Sequence, residues 1–181
     1  AIAKKHGMIT VVDGAHGLLA QPVDEILSKV DIYLSNAHKW ASCPRGIAFL
    51  HCSCPQLRDT LLRIPAIVSH GIDDGFFNRF VWDGTRDYAA ALSLPVVLDY
   101  WQCQNPEIVR EQMKDMLREG VQLLSEVWHN SNGNCTLVPM HMHSPMALVR
   151  LPLFLNSDLP RTANDGKRIQ DWLYHHRIEV P

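Results

Sequence analysis

Five polar side chains near the start of the chain are of types that can do chemistry. Asp13 ends an apolar stretch and His16 closely follows it, while Asn36, His38 and Lys39 come one strand–helix–strand length later. A carboxylate can keep the ring nitrogen of pyridoxal phosphate protonated, and a lysine amine can form a Schiff base with its aldehyde. The pattern therefore predicts a pyridoxal phosphate site with Lys39 as the catalytic residue and Asp13 as the partner of the ring nitrogen.

The neighbours of Lys39 suit this chemistry. A lysine amine becomes a useful nucleophile when it is desolvated or close to other positive charge. Lys39 lies between His38 and Trp40, which predicts a crowded and partly apolar setting. We expect His16 to hydrogen-bond the phenolic oxygen of the cofactor, and Asn36 and His38 to donate to its phosphate.

Hydrophobic periodicity predicts the elements that position these residues. Short strands are expected at 8–12, 32–34 and 46–50, and a short helix is expected at 22–30. Strands that alternate with helices are typical of an α/β fold with a largely parallel sheet. Functional groups gather at the carboxyl ends of such strands, where Asp13 and residues 36–39 fall.

The rest of the chain is predicted to be mainly helical. Helices are expected at 86–104, with a kink at Pro95, and at 106–130 and 166–175, with strands at 147–151 and from 178 onward. The predicted organisation is the C-terminal part of a large domain over residues 1–104, followed by a smaller α+β domain over residues 105–181.

Composition excludes several classes of protein. Of the 181 residues, 46% are hydrophobic and 20% are charged, so the chain can bury a core. The net charge of −2 gives no electrostatic case for binding nucleic acid or an anionic membrane. The longest apolar stretches are too short to span a bilayer. Five scattered cysteines do not form a disulfide framework, and a cytoplasmic location is expected.

Three sequence blocks together resemble one enzyme family. These are Asp13-Gly-Ala-His16, Asn36-Ala-His-Lys-Trp40 and Pro44-Arg-Gly-Ile-Ala-Phe-Leu50. A fourth, supporting block, residues 80–87, contains Gly84-Thr85. They look like the class V aminotransferase family of fold-type I pyridoxal phosphate enzymes. The Asn-x-His-Lys-Trp and Asp-Gly-Ala-His forms resemble its isopenicillin N epimerase-like group.

The resemblance implies a function and further site residues. It implies an epimerase or racemase that acts on an amino acid, with a cysteine desulfurase or C–S lyase as the alternative in the same family. A non-catalytic protein of this fold is the alternative from another class. Thr85 would reach across a homodimer interface to the cofactor phosphate of the partner subunit, so the active site would be shared.

Parts that the resemblance implies are missing from this sequence. They are a Gly/Thr-rich phosphate loop, an aromatic residue stacked on the cofactor, and a C-terminal arginine for the substrate carboxylate. Both ends of the chain look like the interior of an element. We therefore expect a fragment of a longer polypeptide, inactive by itself, whose substrate-reading residues lie elsewhere.

Structural roles compete with these assignments. A strand-end Asp is often a turn or capping residue, a loop Asn is commonly a turn former, and Gly84-Thr85 ahead of an apolar helix is also an N-cap pattern. The histidines at 141, 143, 175 and 176 match no strong metal-ligand spacing, so no metal site is predicted.

Overall fold

The computed structural model describes residues 2–63, 84–128, 135–151 and 162–180. The helices are α1 (Ile2–Lys5), α2 (Val23–Leu27), α3 (Pro55–Arg63), α4 (Ala89–Cys103), α5 (Pro106–Val127) and α6 (Ala163–His175), with a 3₁₀ turn at Met140–Met142. The strands are β1 (Val11–Asp13), β2 (Ile32–Asn36) and β3 (Ala48–Cys52). The predicted α/β class is confirmed.

The sheet is mixed, which corrects the expectation of a largely parallel one. Its order is β1-β2-β3, with β1 and β2 parallel and β2 and β3 antiparallel. A parallel crossover usually needs a dozen or more residues and a helix. The connection from Asn36 to Ala48 is short and contains no helix, so the chain turns back on itself.

A carboxylate clamp begins the parallel pair. Asp31 Oδ2 accepts hydrogen bonds from the Thr10 amide at 2.8 Å and the Thr10 hydroxyl at 2.7 Å. The bond from the Thr10 amide, and next the bond from its hydroxyl, lower the pKa of Asp31. Desolvation raises this pKa by a smaller amount. Because the clamp precedes both strands, it sets the register that pairs Val11 with Ile32 and Asp13 with Leu34.

The two faces of the sheet differ in burial. Tyr33 and Ser35 of β2 are buried with 1% and 2% exposure, whereas Leu34 between them is exposed. Side chains alternate along a strand, so Asp13 and Asn36 lie on the same face as Leu34. The candidate site is therefore built on the less buried face, above a core formed by the other.

The helices follow the predictions more closely than the C-terminal strands do. Helix α4 runs through Pro95, and α5 begins at Pro106 as predicted, while residues 129 and 130 lie outside the described ranges. The predicted strand at 147–151 contributes only an isolated bridge between Thr136 and Val149. Helix α3 had not been predicted.

Residues 178–180 do not form the predicted strand, because they close the end of α6. Arg177 adopts a positive φ of 62°, and the Ile178 amide donates to the Leu173 carbonyl at 2.9 Å. This is the Schellman arrangement that ends many helices. Gln170 Nε2 also donates to the Val180 carbonyl at 3.0 Å, so the tail bonds to the helix that precedes it.

The chain divides into two compact units. One comprises Ala1–Gly120 with Val138–Ala147, and the other comprises Val121–Leu137 with Leu148–Pro181. The domain boundary expected between residues 104 and 105 stays a prediction. All five cysteines are free thiols. No helix within the described ranges has both the length and the apolar character needed to cross a membrane.

Candidate active site

The loop after β1 carries Asp13 and His16. Asp13 Oδ1 accepts the Ala15 amide at 3.0 Å, which makes a local turn of the kind expected for a strand-end Asp. This bond involves only one carboxylate oxygen. Asp13 is exposed at the carboxyl end of β1, where such a group can face a ligand.

The side chain of Tyr33 leaves no room for a Cβ at two positions of this loop, Gly14 and Gly17. A Cβ placed on Gly14 would overlap the ring of Tyr33, and one on Gly17 would overlap its hydroxyl oxygen. Only glycine allows the loop to lie so close to this buried side chain. The Gly17 amide also donates to the Gly14 carbonyl at 2.7 Å, which tightens the turn around His16.

The loop after β2 carries His38 and Lys39 and closes on itself. The Ala37 amide donates to the Ile47 carbonyl at 3.2 Å, and the Cys43 amide donates to the Ala37 carbonyl at 3.0 Å. Ala37 is completely buried. The loop is therefore fixed at its base, immediately before the two residues that are predicted to act.

Helix α4 supports the far side of this loop. Trp101 Nε1 donates to the Ala41 carbonyl at 2.8 Å, and Cys43 Sγ lies 3.5 Å from Ser93 Oγ. Ala41 and Cys43 are buried, with 2% and 4% exposure. The segment that follows Lys39 is thus packed against a long helix, which limits its movement.

The structure brings Lys39 and His16 together. Lys39 Nζ lies 2.9 Å from His16 Nε2, within hydrogen-bond distance. With Lys39 as the donor, which is the only role open to an ammonium, Nε2 accepts, and a neutral imidazole then carries its proton on Nδ1. Two residues predicted from separate motifs therefore form one cluster at the carboxyl ends of adjacent parallel strands.

The second histidine is oriented by the backbone. His38 Nδ1 donates to the Ile47 carbonyl at 2.9 Å, because a carbonyl oxygen can only accept. The other nitrogen, Nε2, is then an acceptor in the neutral ring and a donor only in the imidazolium. Donation to a phosphate, as predicted for His38, therefore requires the charged form.

Asn36 and Thr85 are placed less tightly. Asn36 ends β2 opposite Ala48 and is half-buried. Thr85 is exposed beside Gly84, whose φ is 114°, and residues 80–83 of the supporting block lie outside the described ranges. No contact described here joins Thr85 to Lys39. Thr85 is not the N-cap of α4 either, because that helix begins at Ala89 and Tyr88 occupies its N-cap position.

The donor set fits pyridoxal phosphate. Lys39 supplies an amine, Asp13 a carboxylate, and Asn36 and His38 polar side chains at the same edge of the sheet. The indole N–H of Trp40, next to Lys39, is buried without an acceptor among the described residues. Such a donor is costly unless something accepts from it.

Sequence reasoning missed the residues that support the loops. Ser35 Oγ donates to the Gly14 carbonyl at 2.7 Å and accepts the Leu18 amide at 3.3 Å. Neither Ser35 nor Tyr33 belongs to a recognisable motif. The sequence of β2 has no alternation of apolar and polar residues that would indicate that both face the core.

Other features of the described residues do not compete with this cluster. A cleft of about 680 Å³ between α2, β3 and α3 includes Asp24, His51 and Arg58 in its lining but no predicted site residue. Within the described ranges, no group of three or more His, Cys, Asp or Glu residues is arranged to hold a metal ion.

A protein-family model matches most of this chain. Residues 1–137 match the model of the family described as Aminotransferase class-V. This chain belongs to that family, whose members are pyridoxal phosphate-dependent enzymes.

Similar proteins include two kinds of enzyme. An L-cysteine desulfhydrase of Arabidopsis thaliana is 30% identical over 99% of this chain and 38% of its own length. An isopenicillin N epimerase of Amycolatopsis lactamdurans is 30% identical over 99% of this chain and 46% of its own length. The chain thus spans less than half of either relative.

Solved structures show the same fold. An alanine–glyoxylate aminotransferase from Nostoc sp. matches with a TM-score of 0.66 at 19% identity, over 99% of this chain and 46% of its own. A cysteine desulfurase from Thermococcus onnurineus matches with a TM-score of 0.62 at 20% identity, over 99% of this chain and 43% of its own. At these identities the likeness describes the fold alone.

Proposed function

We propose that this chain binds pyridoxal phosphate through Lys39 and belongs to an enzyme that acts on an amino acid. The observation that carries the proposal is the 2.9 Å contact between Lys39 Nζ and His16 Nε2. It joins the Lys39 amine of the Asn36–Trp40 motif to an imidazole nitrogen that can share a proton with it, at the carboxyl ends of strands, where α/β proteins place ligands.

Each residue has a distinct task in this proposal. The cofactor, when bound, supplies an aldehyde that reacts with amines and a ring that withdraws electrons from the substrate. Asp13 holds the ring nitrogen with its carboxylate. Asn36 and the imidazolium form of His38 donate to the phosphate. His16 orients the Lys39 amine and, as predicted from the sequence, can donate to the phenolic oxygen.

Lys39 is also the acid and base of the proposed reaction. Its amine takes the proton from the substrate Cα and can return it. His16 Nε2 lies within reach to relay that proton, because it already shares a hydrogen bond with Lys39 Nζ. The same step begins both epimerisation at Cα and cleavage of a C–S bond, so one cluster serves either outcome.

Two reactions are supported by different relatives. Epimerisation follows from the Asn36–Trp40 motif and the similarity to isopenicillin N epimerases, and it is our first proposal. Cleavage of cysteine follows from the similarity to L-cysteine desulfhydrases at 30–33% identity and is the second. Assayed in the full-length polypeptide, release of sulfide from L-cysteine would indicate C–S cleavage, whereas inversion of an amino acid at Cα without sulfide would indicate epimerisation.

Substitution of Lys39 tests the cofactor assignment. The wild-type chain with pyridoxal phosphate should absorb at about 400–430 nm, where lysine-bound cofactor absorbs. Lys39→Ala should lose this band completely, because no other amine takes its place. Lys29→Ala, which removes an exposed lysine outside the cluster, is the matched control and should keep it. A band unchanged in Lys39→Ala would refute the assignment, and a cofactor band without turnover in the full-length polypeptide would favour a binding protein.

We also propose a homodimer in which Thr85 serves the site of the partner subunit. Thr85 is exposed and therefore accessible to a second copy. Lys39→Ala and Thr85→Val chains should each bind cofactor poorly when alone. Mixed dimers of the two should recover binding, because one of their two sites then combines an intact lysine with an intact threonine. Absence of recovery in verified mixed dimers would exclude the shared site.

A further inference from the structure

We infer that Ser35 is a positioning residue that sets the contact between His16 and Lys39. Ser35 lies on β2, next to Asn36, and its side chain faces the buried side of the sheet with 2% exposure. No motif that implies a chemistry includes it. What it touches is the loop that carries His16.

The Ser35 hydroxyl makes both of its bonds to that loop. It donates to the Gly14 carbonyl at 2.7 Å and accepts the Leu18 amide at 3.3 Å. These two groups lie on either side of His16. A single buried side chain thus holds both flanks of the residue that contacts Lys39.

Ser35 also fixes the distance between the two loops. Its backbone belongs to the strand that leads directly to Lys39, while its side chain holds the loop after β1. The Gly14 amide adds a bond to the Leu34 carbonyl at 2.7 Å, beside Ser35 on the same strand. Because β2 is rigidly paired on both sides, Ser35 transmits its position to both members of the 2.9 Å contact.

The chain contains a matched control for this inference. Ser125 in α5 is also buried, with 8% exposure, and its hydroxyl also joins two backbone groups. It donates to the Val121 carbonyl at 2.9 Å and accepts the Cys135 amide at 3.2 Å. Ser35→Ala and Ser125→Ala therefore remove the same kind of bonds, but only the first removes them from the site.

The test reads the tautomer of His16 by nitrogen NMR of the uniformly labelled chain, without cofactor. The wild type should show the Nδ1–H form that the contact with Lys39 requires. Ser35→Ala should shift His16 to the tautomer mixture of a free imidazole, and Ser125→Ala should leave it unchanged. Equal effects of the two serines on His16, or none from Ser35→Ala, would overturn the inference.

A second measurement needs no variant, in case Ser35→Ala fails to fold. The Leu18 amide is bonded to Ser35 Oγ, so its hydrogen exchange in the wild type should be slowed relative to an unstructured amide. Exchange at the unstructured rate would contradict the role of Ser35 directly.

The consequence for the cofactor rests on the proposed function. We expect Ser35→Ala to weaken binding of pyridoxal phosphate by roughly tenfold, which is the scale of one lost hydrogen bond. Unchanged binding in a variant whose His16 tautomer has shifted would show that the contact does not serve the cofactor. If the wild type does not bind the cofactor, the proposed function fails, whereas the tautomer and exchange results still decide the role of Ser35.

Discussion

Residues 10–52 and helices α5 and α6 use the same polar contacts over very different sequence distances. Asp31 accepts two hydrogen bonds from Thr10, which is 21 residues away, and Asp165 accepts two from Thr162, which is 3 residues away. Both carboxylates have a lowered pKa with the same leading cause, the threonine amide. The difference teaches that the site depends on bonds that close large loops, whereas the helices stabilise themselves locally.

The largest contrast is expected between two glycines. Gly17→Ala in the site loop should cost about 3 kcal/mol, at the upper end of overpacking costs, because the new Cβ overlaps the buried Tyr33 hydroxyl. Gly120→Ala in α5 meets nothing within 4 Å and should stabilise the chain by about 0.5–1 kcal/mol. Chemical denaturation measures both free energies of unfolding.

A double variant sharpens this contrast. Tyr33→Phe removes the overlapping oxygen and should restore part of the stability lost in Gly17→Ala. By itself it should cost little, since the Tyr33 hydroxyl lies 3.5 Å from the Gly14 carbonyl, at the limit of a hydrogen bond. Strictly additive effects of the two substitutions would mean that Tyr33 is not the reason for the glycine.

The two aspartates should give a smaller effect that depends on pH. A carboxyl whose pKa is lowered on folding stabilises the fold above its unfolded value of 3.8, and this contribution is lost as the pH falls through the lower folded value. Asp31→Asn and Asp165→Asn should therefore each reduce stability near neutral pH, and the difference from the wild type should shrink in acid. Differences that stay constant across this range would contradict the proposed bonds.

The location of the damage distinguishes the two aspartates. Asp31→Asn should also disturb the NMR signals of residues 13–17, because the clamp sets the register of β1 and β2. Asp165→Asn should disturb α6 alone. If both variants changed the signals of residues 13–17 equally, the claim that only Asp31 supports the site loop would be contradicted.

The smallest effect is expected on the surface of α5. Lys114 and Glu111 form an exposed pair three residues apart, which lowers the pKa of Glu111 through a hydrogen bond and the nearby charge. Exposed pairs of this kind contribute little and are screened by salt. Lys114→Ala should leave the denaturation midpoint unchanged within error, in low and in high salt.

These contrasts explain what the sequence could and could not predict. The helices α4, α5 and α6 were predictable because periodicity, Pro106 and local capping are all encoded within a few residues. The antiparallel direction of β3 was not predictable, because it depends on how the short Asn36–Ala48 connection folds. The tail at residues 178–180 has the alternation of a strand, but it bonds to α6 instead.

The candidate site divides in the same way. Asp13, His16, Asn36, His38 and Lys39 were singled out because their types and spacing imply a chemistry, and their roles in it stay predictions. Ser35 and Tyr33 could not be singled out, because their importance lies in contacts with a loop 17–21 residues away. The chemical groups of a site are therefore visible in a motif, while the residues that hold them in place become visible only in the fold.

The most direct test of the central claim is to ask which lysine captures the cofactor. The 181-residue chain is incubated with a limiting amount of pyridoxal phosphate, reduced with borohydride to make any lysine–pyridoxal linkage permanent, and digested for mass spectrometry. We predict that the label is concentrated on the peptide that contains Lys39 and is absent from it after Lys39→Ala. A label spread evenly over Lys29, Lys114, Lys167 and Lys39 would contradict the claim that this chain holds a pyridoxal phosphate site.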